Sequence, residues 1–265
     1  MNFNDPKYRL QVIRDIKSED NYARKREHQQ RFDVYRERQD NYIIERLERE
    51  FDPDTVRQMR KILSINLAKK IVDDLSSIYS VPPTRTFASA AGRDIQDNEM
   101  EQIENLYEET HFNVAMRQAN RFYNNHDQCA LMIVPDKRGC FKVRAIPPMH
   151  YDVIPSDDDP EVASAYILNV WDYDLYKTTD DNTSESTQLN RYRQNDRMNQ
   201  KIADDNDRDA LLERYVVWTA EETFTMDGRG NLVSDVMPNP IGMLPFVDVA
   251  MEKDFQFFVR RGSSI

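Results

Sequence analysis

Polar and charged residues dominate the first fifty positions, and the apolar ones among them recur at helical spacing. Between residues 19 and 50, Phe32, Tyr35, Tyr42, Ile43 and Leu47 fall along one side, which predicts one long, mostly polar helix. Asp20/Arg24, Glu27/Arg31 and Glu45/Arg49 support it, each placing the acid four residues ahead of the base. Phe51-Asp52-Pro53 interrupts the pattern and restarts it, because Asp52 can cap a helix and Pro53 suits its first turn. The helix that follows carries Leu63, Leu67, Ile71, Leu75 and Tyr79 at four-residue spacing, widened by Ile65, Val72 and Ile78, and is expected to be the central, buried core helix. Pro82 and Pro83 lack the amide proton that propagation needs and push Val81 towards extended backbone, so the chain is expected to leave as a strand, Thr84 to Ala88.

Two further helices are predicted, one through Met100, Ile103, Leu106 and Tyr107 and one around Phe112 to Phe122. The period then changes. Gln128 to Pro135, Gly139 to Ile146, His150 to Pro155, Val162 to Tyr176, Glu213 to Ala220 and Glu222 to Met226 are β-rich runs separated by turn residues. Helices first and an antiparallel β meander afterwards is the order of an α+β fold. Residues 177–209 are polar and of low complexity, too poor in apolar side chains to offset the entropy of ordering, and are expected to form a flexible insertion. The expected organisation is an N-terminal helical arm over residues 1–50 and an α+β domain over residues 51–265.

Charge divides the chain the same way. Residues 1–70 carry a net +4 and the remainder −15, within a total of −11. An acidic body disfavours a protein that coats DNA through phosphate neutralisation, and leaves open one that surrounds DNA without gripping it. Arg24, Arg31 and Arg38 recur every seven residues and would share one face of the long helix, either as solvated surface or as a contact with a neighbouring subunit or an acidic partner. Two cysteines, Cys129 and Cys140, are too few for a disulfide framework and read as reduced thiols. With no apolar run of membrane-spanning length and no signal-peptide core, the expectation is a soluble chain.

Catalytic signatures are missing from the sequence: there is no glycine-rich phosphate loop, GxSxG, HExxH or CxxC. His28, His111, His126 and His150 have no metal-ligand spacing and are expected at the surface or in turns. Ser156-Asp157-Asp158-Asp159-Pro160 could hold a divalent cation through clustered carboxylates, but the same residues are ordinary turn chemistry. Asp73/Asp74 and Glu221/Glu222 are adjacent pairs that cannot face each other as general acid and base. Trp171 and Trp218 are expected to neighbour each other in the sheet. No catalytic residue, metal site or cofactor is expected, and the chain does not read as an enzyme.

Four segments nevertheless share a pattern. Asn66 to Arg85 (NLAKKIVDDLSSIYSVPPTR), the unit VRAIPPMHYDVIPSDDDPEVASAYIL, the run ERYVVWTAEETFTMDGRGN and the closing NPIGMLPFVDV occur in the order in which similar segments occur in tailed-bacteriophage portal proteins. The chain resembles the N-terminal wing region of that head-to-tail connector family. The resemblance implies a structural subunit of a ring, commonly of twelve copies, at the capsid vertex of the virion, assembled in the host cytoplasm. It implies as partners the chain itself, the major capsid or scaffolding protein, the terminase, head-completion and tail adaptor proteins, and double-stranded DNA passing through the channel, with no membrane. Portal chains continue past the closing segment into a channel-lining helix and a clip, so the resemblance implies a wing without stem or clip, and no DNA-contacting residue is carried over. Two other readings stand beside it: a metal-dependent nucleic-acid enzyme using Asp157 to Asp159 with Glu161, and an adaptor presenting the arginine row to an acidic partner.

Overall fold

The computed structural model describes residues 3–58, 66–81, 83–87, 96–135, 141–159, 162–169 and 213–250. Expectations that fall on Leu63, Ile65, Pro82, Cys140, Pro160, Glu161, Trp171 and the insertion at 177–209 lie outside the described residues. Within them the architecture is α+β. Helices α1 (Pro6–Ile16), α2 (Glu19–Tyr35), α3 (Asp40–Glu50), α4 (Pro53–Gln58), α5 (Leu67–Leu75), α6 (Asp97–Glu109) and α7 (Phe112–His126) precede strands β1 (Gln128–Pro135), β2 (Phe141–Ile146), β3 (Tyr151–Pro155), β4 (Ala163–Asn169), β5 (Arg214–Thr219), β6 (Glu222–Asp227), β7 (Met237–Pro238) and β8 (Phe246–Ala250).

The chain divides into two compact units, one holding Met1–Tyr22 and His150–Leu244, the other Ala23–Met149 and Pro245–Glu252. The expected boundary after residue 50 is therefore not where the chain divides. Nor do the strands form a single meander: β3 to β7 make one antiparallel sheet in sequential order, while β1 and β2 join β8 in a second sheet of order β2-β1-β8.

In the first unit, the reason for the division is α1. Asp5 caps it by accepting from the Lys7 amide at 2.9 Å, and Pro6 opens the first turn. Val12, Ile13 and Ile16 lie with Phe3 against one face of the five-stranded sheet, whose alternation brings Ile154, Ala165, Ile167, Tyr215, Val217, Phe224 and Met226 to the same side. Arg9 ties helix to sheet. Its guanidinium is buried, with Nε donating to the Gly230 carbonyl at 2.7 Å and Nη1 to the Phe3 carbonyl at 2.6 Å. Gly230 sits in the turn that the sequence writes as Asp227-Gly-Arg-Gly-Asn231. Asp227 holds that turn by accepting from the amides of Arg229 at 2.8 Å and Asn231 at 2.9 Å. Trp218 lies opposite Tyr166 and Thr223 in the register, so the tryptophan's cross-strand partners are those residues.

The closing segment has a similar logic. Asn239 is buried, donates from Nδ2 to the carbonyls of Thr219 and Met243 at 2.8 Å each, and accepts from the Ile241 amide at 3.0 Å. One amide side chain thus satisfies three backbone groups and folds the Asn-Pro-Ile-Gly stretch, with Gly242 taking the left-handed φ of 70°.

In the second unit, α7 rests on the three-stranded sheet through small side chains. Ala119 meets Cys129 and Ala145, with Phe122, Leu131 and Val249 packed around them, and Ala115 is also buried. The long helix expected over residues 19–50 is broken. Glu37 adopts φ 62°, the Arg38 amide reaches back to the Asp33 carbonyl at 2.8 Å and the Glu37 amide to Val34 at 3.0 Å, which is a left-handed C-terminal cap without glycine. Residues 83–87 form no strand either. Arg85 docks them instead: its guanidinium lies 4.4 Å from the Tyr107 ring centroid and 5.5 Å from that of Phe112 and donates to Asn113 Oδ1 at 2.7 Å, while the Phe87 ring lies 6.0 Å from that of Tyr107.

The two positive-φ glycines among the described residues make a controlled comparison. A Cβ on Gly230 would stand 3.0 Å from the Arg9 carbonyl carbon and the Leu10 amide, whereas one on Gly242 would meet nothing within 4 Å. Gly230→Ala is expected to lower the unfolding free energy by about 2–3 kcal/mol and Gly242→Ala by about 1 kcal/mol. Urea denaturation of the two variants measures the difference.

Candidate interaction surface

Helix α5 begins where Asn66 caps it, accepting from the Lys69 amide at 3.1 Å, so it is a new helix and not the continuation of α4. Asn66 also donates to the Val34 carbonyl at 2.5 Å, which fixes the start of α5 against the end of α2. On its inner side the helix buries Val72, and Ser76, which caps its C-terminal end, is also buried. Asn124 of α7 donates to Ser76 Oγ at 3.1 Å, and Arg117 Nε donates to the Tyr79 carbonyl at 3.1 Å. The Tyr35 hydroxyl donates to Asp73 at 2.8 Å, and Lys69 pairs with Glu37 at 3.2 Å.

The expected core line faces the other way. Leu67, Ile71 and Leu75 are 62%, 56% and 58% exposed, against 7% for Val72, and Tyr79 is half-buried. The core-helix expectation is thereby corrected by one residue, or about 100° of rotation. The physical cause lies in α7. Its face towards α5 carries Arg117 and Asn124, and these find partners at Ser76 and the Tyr79 carbonyl. Turning the leucine line inward would set Arg117 against hydrocarbon without the Tyr79 carbonyl and leave Asn124 only its bonds to Asn120 within α7. Val72, expected only to widen the leucine stripe, is the buried member of the helix.

The arginine row does not form one face. Arg24 and Arg31 lie on α2, while Arg38 lies beyond its end. Arg31 is held within the chain, donating to Glu27 at 2.7 Å and to Asp127 at 3.0 Å. Those bonds neutralise the residue expected at the centre of an acidic contact.

Near Arg31 sits a pair of imidazoles, His28 and His126, expected from the sequence at the surface or in turns. His28 and His126 are both buried, their ring centroids 5.5 Å apart edge to face, with Phe32 stacked 6.3 Å from His126. Burial, reinforced by the nearby Arg24 and Arg31 cations, pushes the His28 pKa down to about 4. Cys129, also buried, has its thiol pushed up to about 12 by burial and by Asp248, which makes it unreactive near neutrality.

The acidic turn is backbone architecture. The Ser156 amide donates to the Val162 carbonyl at 2.7 Å, the Val162 amide to Asp159 at 3.1 Å, and Asp157 to Asp159 are exposed. Among the described residues no group of three or more His, Cys, Asp or Glu side chains is placed to hold a metal ion, and no helix is long and apolar enough to cross a membrane. No family model matches the chain, and no curated protein matches it. The surface that stands out is therefore the exposed apolar ridge of α5.

The His28 shift has a directional consequence. An unfolded chain takes up the imidazole proton near pH 6.5, while the folded chain resists until about pH 4. Folding stability is expected to fall by about 3 kcal/mol as pH drops through that window and then to level off. Urea titrations at pH 7, 5.5 and 4 should show that slope reduced in His28→Gln.

Proposed function

We propose that this chain forms the wing of a portal subunit, a structural component of the ring through which a tailed bacteriophage packages and ejects its DNA. The observation that carries this reading is the placement of the four resembling segments. They follow the family's order along the chain, and each forms a joint of the framework. Asn66 starts α5 and Arg85 docks the chain after the prolines. The β3–β4 pair is closed by the acidic turn, β5 and β6 are followed by the Asp227-anchored turn that receives Arg9, and Asn239 locks the closing stretch.

The exposure of Leu67, Ile71 and Leu75 counts against this reading, which was staked on a buried spine helix, and what still supports it is the order of the joints and the α+β fold. An apolar ridge left on the outside of a helix is compatible with a subunit that functions in an assembly. In this role the chain acts as scaffold, and the packaging ATPase, terminase and tail adaptors are separate partners of the assembled ring.

Electron microscopy and native mass measurement of the complete gene product, purified from infected or co-expressing cells, test the proposal. Closed rings that enter procapsids are the expected result. A strictly monomeric product absent from capsids contradicts it.

A further inference from the structure

We propose that α5 is a self-association surface: it pairs antiparallel with α5 of a second copy of this chain about a two-fold axis near Ile71. The apolar ridge is its own complement. With about 100° and 1.5 Å per residue, Leu67 and Leu75 lie about 40° to either side of Ile71 and about 6 Å above and below it. A two-fold axis through Ile71 therefore sets Leu67 against Leu75 of the second copy and Ile71 against Ile71.

The charges select the same arrangement. The helix reads Leu67-Ala-Lys-Lys-Ile-Val-Asp-Asp-Leu-Ser76, with cations in its first half and anions in its second, an order that antiparallel pairing matches cation to anion. Lys69 and Asp73 are engaged at home, by Glu37 and by Tyr35 and Arg121. Lys70 and Asp74 are exposed and have no ion-pair partner among the described residues. Both lie on one side of the ridge, and in the antiparallel pair that side faces its own counterpart. Lys70 then stands within about 3 Å along the axis of Asp74 of the second copy, twice per dimer.

Three ridge residues cover far less than the ~800 Å² per partner of a stable complex, so the contact is reversible and concentration-dependent. A two-fold contact is isologous, whereas the contacts that close a ring are heterologous. The inference thus stands independently of the portal reading and fails independently of it.

Analytical ultracentrifugation of the 265-residue chain from about 1 µM to about 1 mM tests it, spanning the range expected of a weak contact. A monomer–dimer equilibrium is expected, abolished by Leu75→Glu. Lys70→Asp or Asp74→Lys alone should weaken the dimer by about five- to ten-fold, and the double exchange Lys70→Asp with Asp74→Lys should restore it. Ile71→Cys should crosslink to itself under mild oxidation, as peptide mapping identifies. Circular dichroism and urea midpoints at wild-type values confirm that each variant is folded, and the charge exchange decides should any ridge variant not be. A monomer at every concentration overturns the proposal. So does association indifferent to Leu75→Glu, failure of the double exchange to rescue, or association without an Ile71→Cys self-crosslink.

Discussion

The rotation of α5 about its own axis is the constraint on which the interaction surface depends, and it is set by hydrogen bonds at both ends of the helix. At the start, Asn66 both caps α5 and reaches the Val34 carbonyl. At the end, Asn124 and Arg117 of α7 engage Ser76 and the Tyr79 carbonyl. The orientation of α7 is fixed in turn by Ala119, small enough to let the helix approach Cys129 and Ala145 closely, with Ala115 also buried, so that its polar side points away from the sheet. Hydrophobicity alone would bury the leucine line. Pairing the half-buried polar groups of α7, Arg117 above all, goes with the opposite orientation.

The strands were legible in the sequence because their alternation survives burial on either face. β1 and β3 end where their composition changes, and β4 to β6 begin within a residue of the expected starts. The partition into two sheets was not legible, because β8 pairs with β1 across more than a hundred residues and nothing local marks that pairing. Helix α1 lies within the helical arm expected over residues 1–50, but its start was not placed, although Asp5-Pro6 repeats the capped start recognised at Asp52-Pro53. The break in the long arm helix had no such signal. Glu37 occupies a left-handed position that glycine or asparagine ordinarily marks, and its carboxylate pairs with Lys69, a contact 32 residues away.

The candidate site follows the same division. The apolar pattern of α5 was plain, but which of two neighbouring lines is buried depends on the partner helix and cannot be read from α5 itself. The arginine row was a true spacing on a helix that ends too soon to display it, and Glu27 and Asp127 already hold its middle member. The segments behind the portal resemblance are the ones whose residues do framework tasks: Arg85 and Asn239 reach groups 28 and 20 residues away, while Asp227 closes its own turn through Arg229 and Asn231. The apolar ridge of Leu67, Ile71 and Leu75 on α5 stays exposed on that framework.

Solvent accessibility along α5, read residue by residue, tests this central point most directly. Single cysteines placed at 67, 68, 71, 72, 75 and 76, with Cys140 replaced by serine and the buried Cys129 as the internal slow standard, can be labelled with a thiol reagent on dilute protein. The account predicts fast labelling at 67, 71 and 75 and slow labelling at 72 and 76. Protection at 67, 71 and 75 with rapid reaction at 72 and 76 would contradict it, and would return the leucine line to the core.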